Sequence, residues 1–111
     1  MIRLNSISEA EKLKFPDTVT KRMQQIETMY IIYLEPDDDL SDIPELGEDG
    51  LFGIIDNEWI GFDYVRLHRK GAKRIYELLV IIDSCTSIVL FLEDHPSLDD
   101  RLRFVLEIQI S

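Results

Sequence analysis

Residues 76–93, YELLVIIDSCTSIVLFLE, hold two near-continuous apolar runs, Leu78–Ile82 and Ile88–Leu92, parted by the small polar group Asp83–Ser87. Apolar runs without polar alternation must be covered on both faces, so the rest of the chain is constrained to pack against them. The stretch is too short for a bilayer, and Asp83 sits near its middle, where lipid would penalise it heavily. It reads as the core of a soluble domain.

A chain of 111 residues is long enough to form one such domain without staples. The N-terminal MIRLNSISEAEK lacks the apolar centre of a signal peptide, which points to a cytoplasmic protein. Cys85 is the only cysteine, excluding an intramolecular disulfide and a cysteine-based zinc site. Lying between the two apolar runs, it is expected to be a small core residue in a reducing compartment.

The net charge of −10 is unevenly placed. Residues 35–58 carry ten acids and no base, while the rest of the chain carries twelve of each sign. The body of the domain is thus neutral and the imbalance belongs to one segment. Binding to a nucleic-acid backbone is not expected, because counterion release needs Lys and Arg gathered against phosphate.

Along the chain, Ser6–Glu9 and Ser8–Glu11 match the capping-box spacing, and a short helix over about Ser8–Lys14 should end at Pro16. Val19, Met23, Ile26 and Tyr30 recur at helical spacing after a cap at Asp17 or Thr18. The helix then runs into a β-branched and aromatic strand, Met29–Leu34. Residues 35–50, EPDDDLSDIPELGEDG, read as a long acidic loop, with Leu40, Ile43 and Leu46 placed to pin it through a helical turn. Phe52–Ile55 and Trp59–Leu67 flank Asp56-Asn57-Glu58 as a hairpin, with Gly61 marking a bulge. Lys70–Asp83 admits two readings. Ala72, Ile75, Tyr76, Leu79 and Ile82 fall on one helical face, whereas LLVII after a turn at Lys70-Gly71 suits a strand; spacing favours the helix. Thr86–Glu93 is a strand, DHPSLDD a turn, and Arg101–Ser111 alternates cleanly as a half-buried strand. The expected class is α+β, with N-terminal helices packed on a mixed or antiparallel sheet of about five strands.

Chemistry-bearing residues fall into two groups. The first is acidic: Asp37, Asp38, Asp39, Asp42, Glu45, Glu48 and Asp49 form either a solvated loop or a docking surface that steers a basic protein partner. Their spacing is not that of the twelve-residue calcium loop, so no metal site is expected. The second is basic: Arg66, His68, Arg69, Lys70, Lys73 and Arg74 lie within nine residues. They suit an anion site or, if the acidic loop folds over them, an electrostatic latch.

His68 has no neighbouring acid in sequence to orient it, His95 lies in a turn, and a Cys85–His dyad would need an exposed thiolate. Asp83 reads as a turn residue bonding nearby amides. No Gly-rich phosphate loop, dinucleotide fingerprint, HExxH or G-x-S-x-G occurs. No cofactor and no membrane contact are expected, and binding is favoured over catalysis. Two functional readings follow. One is a small acidic interaction or regulatory protein engaging a basic partner. The alternative is an anion-binding protein or minor enzyme, using residues 66–74 and an aromatic-lined pocket; Trp59, Phe62, Tyr64, Tyr30 and Tyr33 read first as core and cross-strand packing, and some of them could line that pocket. An uncovered edge on the C-terminal strand would also pair two copies as a homodimer.

Overall fold

The two apolar runs form neighbouring antiparallel strands at the centre of a five-stranded mixed sheet, seen in a computed structural model that describes residues 1–27, 30–56 and 62–110. The strands are β1 (Ile2–Leu4), β2 (Tyr30–Leu34), β3 (Phe62–Lys70), β4 (Lys73–Ile81) and β5 (Ser87–Glu93), in the order β1-β2-β5-β4-β3. β5 runs parallel to β2 and antiparallel to β4, with Leu78 opposite Leu90. Among the described residues, four α-helices accompany the sheet: α1 (Ile7–Lys12), α2 (Asp17–Gln25), α3 (Gly50–Asp56) and α4 (Asp100–Gln109). Among the described residues, no helix is long and apolar enough to cross a membrane.

Both sheet faces are covered, which is why the central strands lack polar alternation. On one face, Ala10 of α1 and Val19 and Met23 of α2 meet Ile31, Tyr33, Ile75, Val89 and Phe91. On the other, Leu51 and Ile54 of α3 and Leu102 and Leu106 of α4 meet Ile32, Leu34, Leu78, Val80 and Leu90. The α+β class and the placing of the N-terminal helices on the sheet are as the sequence predicts.

Three segments differ from expectation. Lys73–Ile81 is a strand, not a helix. Because both its faces are buried, apolar residues occupy nearly every position, and a helical spacing can be picked out of them by coincidence. Gly71, at a φ of 62°, opens the two-residue turn from β3 and sets the antiparallel pairing of Lys70 with Lys73. Gly50–Asp56 is helical rather than the first strand of a hairpin, with Leu51 and Ile54 one turn apart in the core. The predicted turn partners Asn57 and Glu58, together with Trp59 and Gly61, lie outside the described residues.

The expected C-terminal strand is not formed either: Asp100–Gln109 is helical, and Ser111 lies outside the described residues. Asp99 accepts hydrogen bonds from the amides of Arg101 (2.9 Å) and Leu102 (3.1 Å), capping α4 in the usual way for an aspartate. A homodimer through a C-terminal strand therefore loses its strand. Ile110 instead makes a single parallel bridge to Val65, on edge strand β3.

Cys85 is exposed, contrary to the expected core position. It lies in the β4–β5 turn, where its amide donates to Asp83 Oδ1 at 2.8 Å, so Asp83 is the turn residue foreseen.

Candidate functional site

The acidic loop leaves the carboxyl end of β2 and crosses the face that α3 and α4 cover. Ile43 is fully buried, Leu40 and Leu46 pack partly against the same core, and Pro44–Leu46 forms a single 3-10 turn. Gly50 closes the loop. It has a φ of 56°, and a Cβ there would lie 2.3 Å from the Leu40 carbonyl oxygen, so the close approach of the two segments requires glycine. The Leu51 amide then donates to that carbonyl at 3.1 Å.

Several of the predicted acids hold this shape. Asp38 accepts from the Glu35 amide at 2.7 Å and from the Met1 ammonium at 2.6 Å. Asp39 accepts from the Ser41 hydroxyl (2.6 Å) and amide (3.0 Å), which hold its carboxyl below the ordinary aspartate value. Glu45 pairs with Arg3. The remaining members, Asp37, Asp42, Glu48 and Asp49, are exposed, and among the described residues their carboxylates have no hydrogen-bond or ion-pair partner. The loop is thus braced from within and presents four free carboxylates to solvent.

Because β2 and β5 are parallel neighbours, the segments leaving them emerge at the same end of the sheet. Crevices of α/β sheets form at such carboxyl ends. A cleft of about 200 Å³ lies there, with Glu35, Asp38, Asp39, Glu93 and Asp99 along its walls. Leu40, Phe52, Leu92 and Leu98 supply apolar lining. The cleft is smaller than the pockets that enclose cofactors or drug-sized ligands, but it has room for one side chain.

The basic group is divided by strand alternation. Arg66, His68, Lys70 and Lys73 lie on the α2 side of the β3–β4 hairpin, and Arg69 and Arg74 on the α4 side. Arg66 stacks over the Tyr64 ring at 4.6 Å, Lys70 pairs with Asp17 at 3.1 Å, and Lys73 with Glu93 at 3.6 Å. Arg74 bonds Glu107 at 2.7 Å. The six residues therefore do not converge on one point. Nor do the loop acids Asp37–Asp49 reach them, so the latch is not formed.

Lys70 and Lys73 do border an open cleft of about 560 Å³, with Lys14, Phe15 and Asp17 on the opposing α1–α2 turn. Of the aromatic set, Tyr33 is buried and stacks on Phe15 with ring centroids 4.4 Å apart.

Sequence reasoning missed Glu77. It is the one charged residue that is wholly buried among the described residues. Arg22 Nε donates to both its oxygens (3.0 and 2.9 Å), the Tyr64 hydroxyl donates at 2.5 Å, and His68 Nε2 lies 2.8 Å away. Burial alone would raise its pKa, but the bonds from His68, Tyr64 and Arg22 and the Arg22 charge outweigh that and hold the carboxyl below its ordinary value. Tyr64 is shifted upward, by burial first and then by its bond to Glu77. His68 thus does have an acid to orient it, contributed by the facing strand. The available signal was a charge inside a two-sided apolar strand, legible only once residues 73–81 are read as β. The four groups tie α2 to the β3–β4 hairpin.

Compared with protein-family models, with curated proteins and with solved structures, the chain matches none. Its function is therefore argued from its own surface.

Proposed function

We propose that this is a small cytoplasmic interaction or regulatory protein that recognises a basic segment of another protein through the acidic loop 35–49. The observation that carries the reading is the state of that loop. Asp38, Asp39 and Glu45 are spent on bracing it, while Asp37, Asp42, Glu48 and Asp49 face solvent unpaired. Carboxylates fixed on a braced frame lose little conformational freedom when a cation docks, and their summed field steers a basic partner to one face. The neighbouring 200 Å³ cleft, walled by further acids over apolar side chains, has the size and polarity to accept a lysine or arginine side chain from that partner.

The test is whether Asp37→Asn, Asp42→Asn, Glu48→Gln and Asp49→Asn together remove a salt-sensitive basic partner while leaving the fold intact. These four are the informative positions, since changing Asp38 or Asp39 would also unbrace the loop.

A second reading, anion binding, is favoured by the cleft between the α1–α2 turn and the hairpin tip, where Lys14, Lys70 and Lys73 gather. Lys70 and Lys73 already face Asp17 and Glu93 there, which offsets much of their field. A thermal shift with phosphate that disappears in Lys70→Ala would favour this reading over the first.

A further inference from the structure

His95 and Ser97 border the acidic cleft, and the recognition proposed above gives neither a role. Both are exposed. The Ser97 amide donates to His95 Nδ1 at 3.2 Å, and the Ser97 hydroxyl oxygen lies 2.9 Å from the same nitrogen. A ring nitrogen that accepts from an amide carries no proton, so the neutral imidazole holds its proton on Nε2. The backbone of the turn is fastened separately. The His95 carbonyl accepts from the Leu98 amide at 2.9 Å and from Arg103 Nη2 at 2.7 Å. The imidazole can therefore exchange partners without unravelling the turn.

Proton uptake falls on Nδ1, the atom already engaged. The new N–H then points at Ser97 Oγ, and the serine proton turns to the Pro36 carbonyl, 3.4 Å away on the acidic loop. The Ser97 amide loses its acceptor. The same proton places a positive charge on the cleft wall. Facing it are Glu35, Asp38 and Asp39 from the loop, Glu93 from the end of β5 and Asp99 at the start of α4. To that lining α3 contributes Phe52 and no charge. The cations bordering these acids are already matched: the Met1 ammonium by Asp38, Lys73 by Glu93, Arg74 by Asp94 and Glu107, and Arg103 by Asp94 and Asp100.

We infer that His95 gates this cleft by protonation: the neutral imidazole leaves the carboxylates to a lysine or arginine of the partner, and the imidazolium repels that side chain. The inference rests on the proposed basic-partner function and adds its regulation by pH. Histidine ordinarily changes charge near pH 6.5, whereas carboxylates stay ionised well below that. Mild acid thus adds one positive charge to the cleft and removes no negative one. A space of 200 Å³ is about 6 Å across, so two cations would share it at roughly that separation. Like charges at that distance in a half-solvated site weaken binding by about three- to tenfold.

The test uses the full chain and an oligo-arginine peptide of about six residues, blocked at both ends and carrying a dye that does not titrate, so that the probe keeps its charge throughout. Affinities are measured by fluorescence anisotropy at low salt, at about pH 5.5 and 7.5, for wild type, His95→Asn and the four-site loop variant. Asparagine places a carbonyl oxygen where it can still accept from the Ser97 amide, but it cannot titrate. Circular dichroism melts at both pH values check folding. Wild type should bind about three- to tenfold more weakly in the acid buffer. His95→Asn should bind equally in both and match wild type at the higher pH. His68, the other histidine, is present in both proteins on the opposite face of the sheet and cancels from the comparison. Nuclear magnetic resonance of wild type gives a second readout, since the Ser97 amide should shift at the same midpoint as the His95 ring.

Equal wild-type affinity at the two pH values, a drop that persists in His95→Asn, or a Ser97 amide that ignores the titration of the ring overturns the gate. If the loop variant then still weakens binding at both pH values, the acidic-loop reading stands without it. A peptide bound at neither pH overturns both.

Discussion

Replacing Glu77 by Gln should cost this domain about 2–4 kcal/mol. The carboxylate accepts Arg22 on both oxygens, Tyr64 at 2.5 Å and His68 at 2.8 Å, and it is wholly buried. Removing one member of a buried ion pair costs about 3–5 kcal/mol, because the stranded charge keeps its desolvation penalty. Here the loss is smaller. The Arg22 side chain is 19% exposed and can recover some water, and glutamine keeps one acceptor oxygen.

At roughly 4 °C per kcal/mol for a domain of this size, the melting temperature should fall by roughly 8–16 °C. Urea unfolding followed by circular dichroism should show a lower midpoint at unchanged slope. The effect also has a required pH dependence. Glu77 has a folded pKa below its unfolded value of about 4.3. Its contribution is therefore complete above about pH 4.3 and disappears as pH falls through the lowered folded value. The gap between wild type and Glu77→Gln should narrow as pH falls below about 4.3. A deficit under about 0.5 kcal/mol at neutral pH, the range of ordinary surface changes, would refute the reasoning, as would one that persists undiminished in acid.

Gly50→Ala meets both the positive φ and the Leu40 carbonyl, and should cost at least about 2 kcal/mol, with faster amide exchange over residues 37–49. Tyr33 and Tyr76 are pushed up to about 12, by burial first and then by nearby carboxylates. With Tyr64, which is also shifted upward, three of the four tyrosines should therefore ionise late in an absorbance titration. The neutral phenols favour the fold, so stability should hold below about pH 10 and fall as pH rises through the folded values. Asp99→Ala should destabilise by about 1 kcal/mol through loss of the α4 cap, and Asp99→Asn by much less, as compared in paired melts.

The sheet core was legible in residues 76–93 because runs of that kind have few ways to be covered. The N-terminal helices were legible from the Val19/Met23 spacing and from Pro16. Two features hid the rest. In β4 residues 75–81 are apolar on both faces apart from Glu77, so periodicity carries little information there, and Glu77 passed as the polar side of a helix. In α4 two helical stripes, one buried and one exposed, sum to an alternation that mimics a strand, and the decisive sign was Asp99 as a cap. The acidic loop was visible from charge alone, but charge does not say which carboxylates brace the loop and which stay free. That division depends on Ser41, Met1 and Arg3, whose approach only the fold determines.

The most direct measurement is affinity capture at about 50 mM salt, where screening is weak, comparing wild type with the variant carrying Asp37→Asn, Asp42→Asn, Glu48→Gln and Asp49→Asn. The expected result is a basic protein held by wild type, released at about 300 mM salt, and absent from the variant. Identical captures by the two proteins, or a partner whose retention ignores salt, would contradict a role for the acidic loop in recognition.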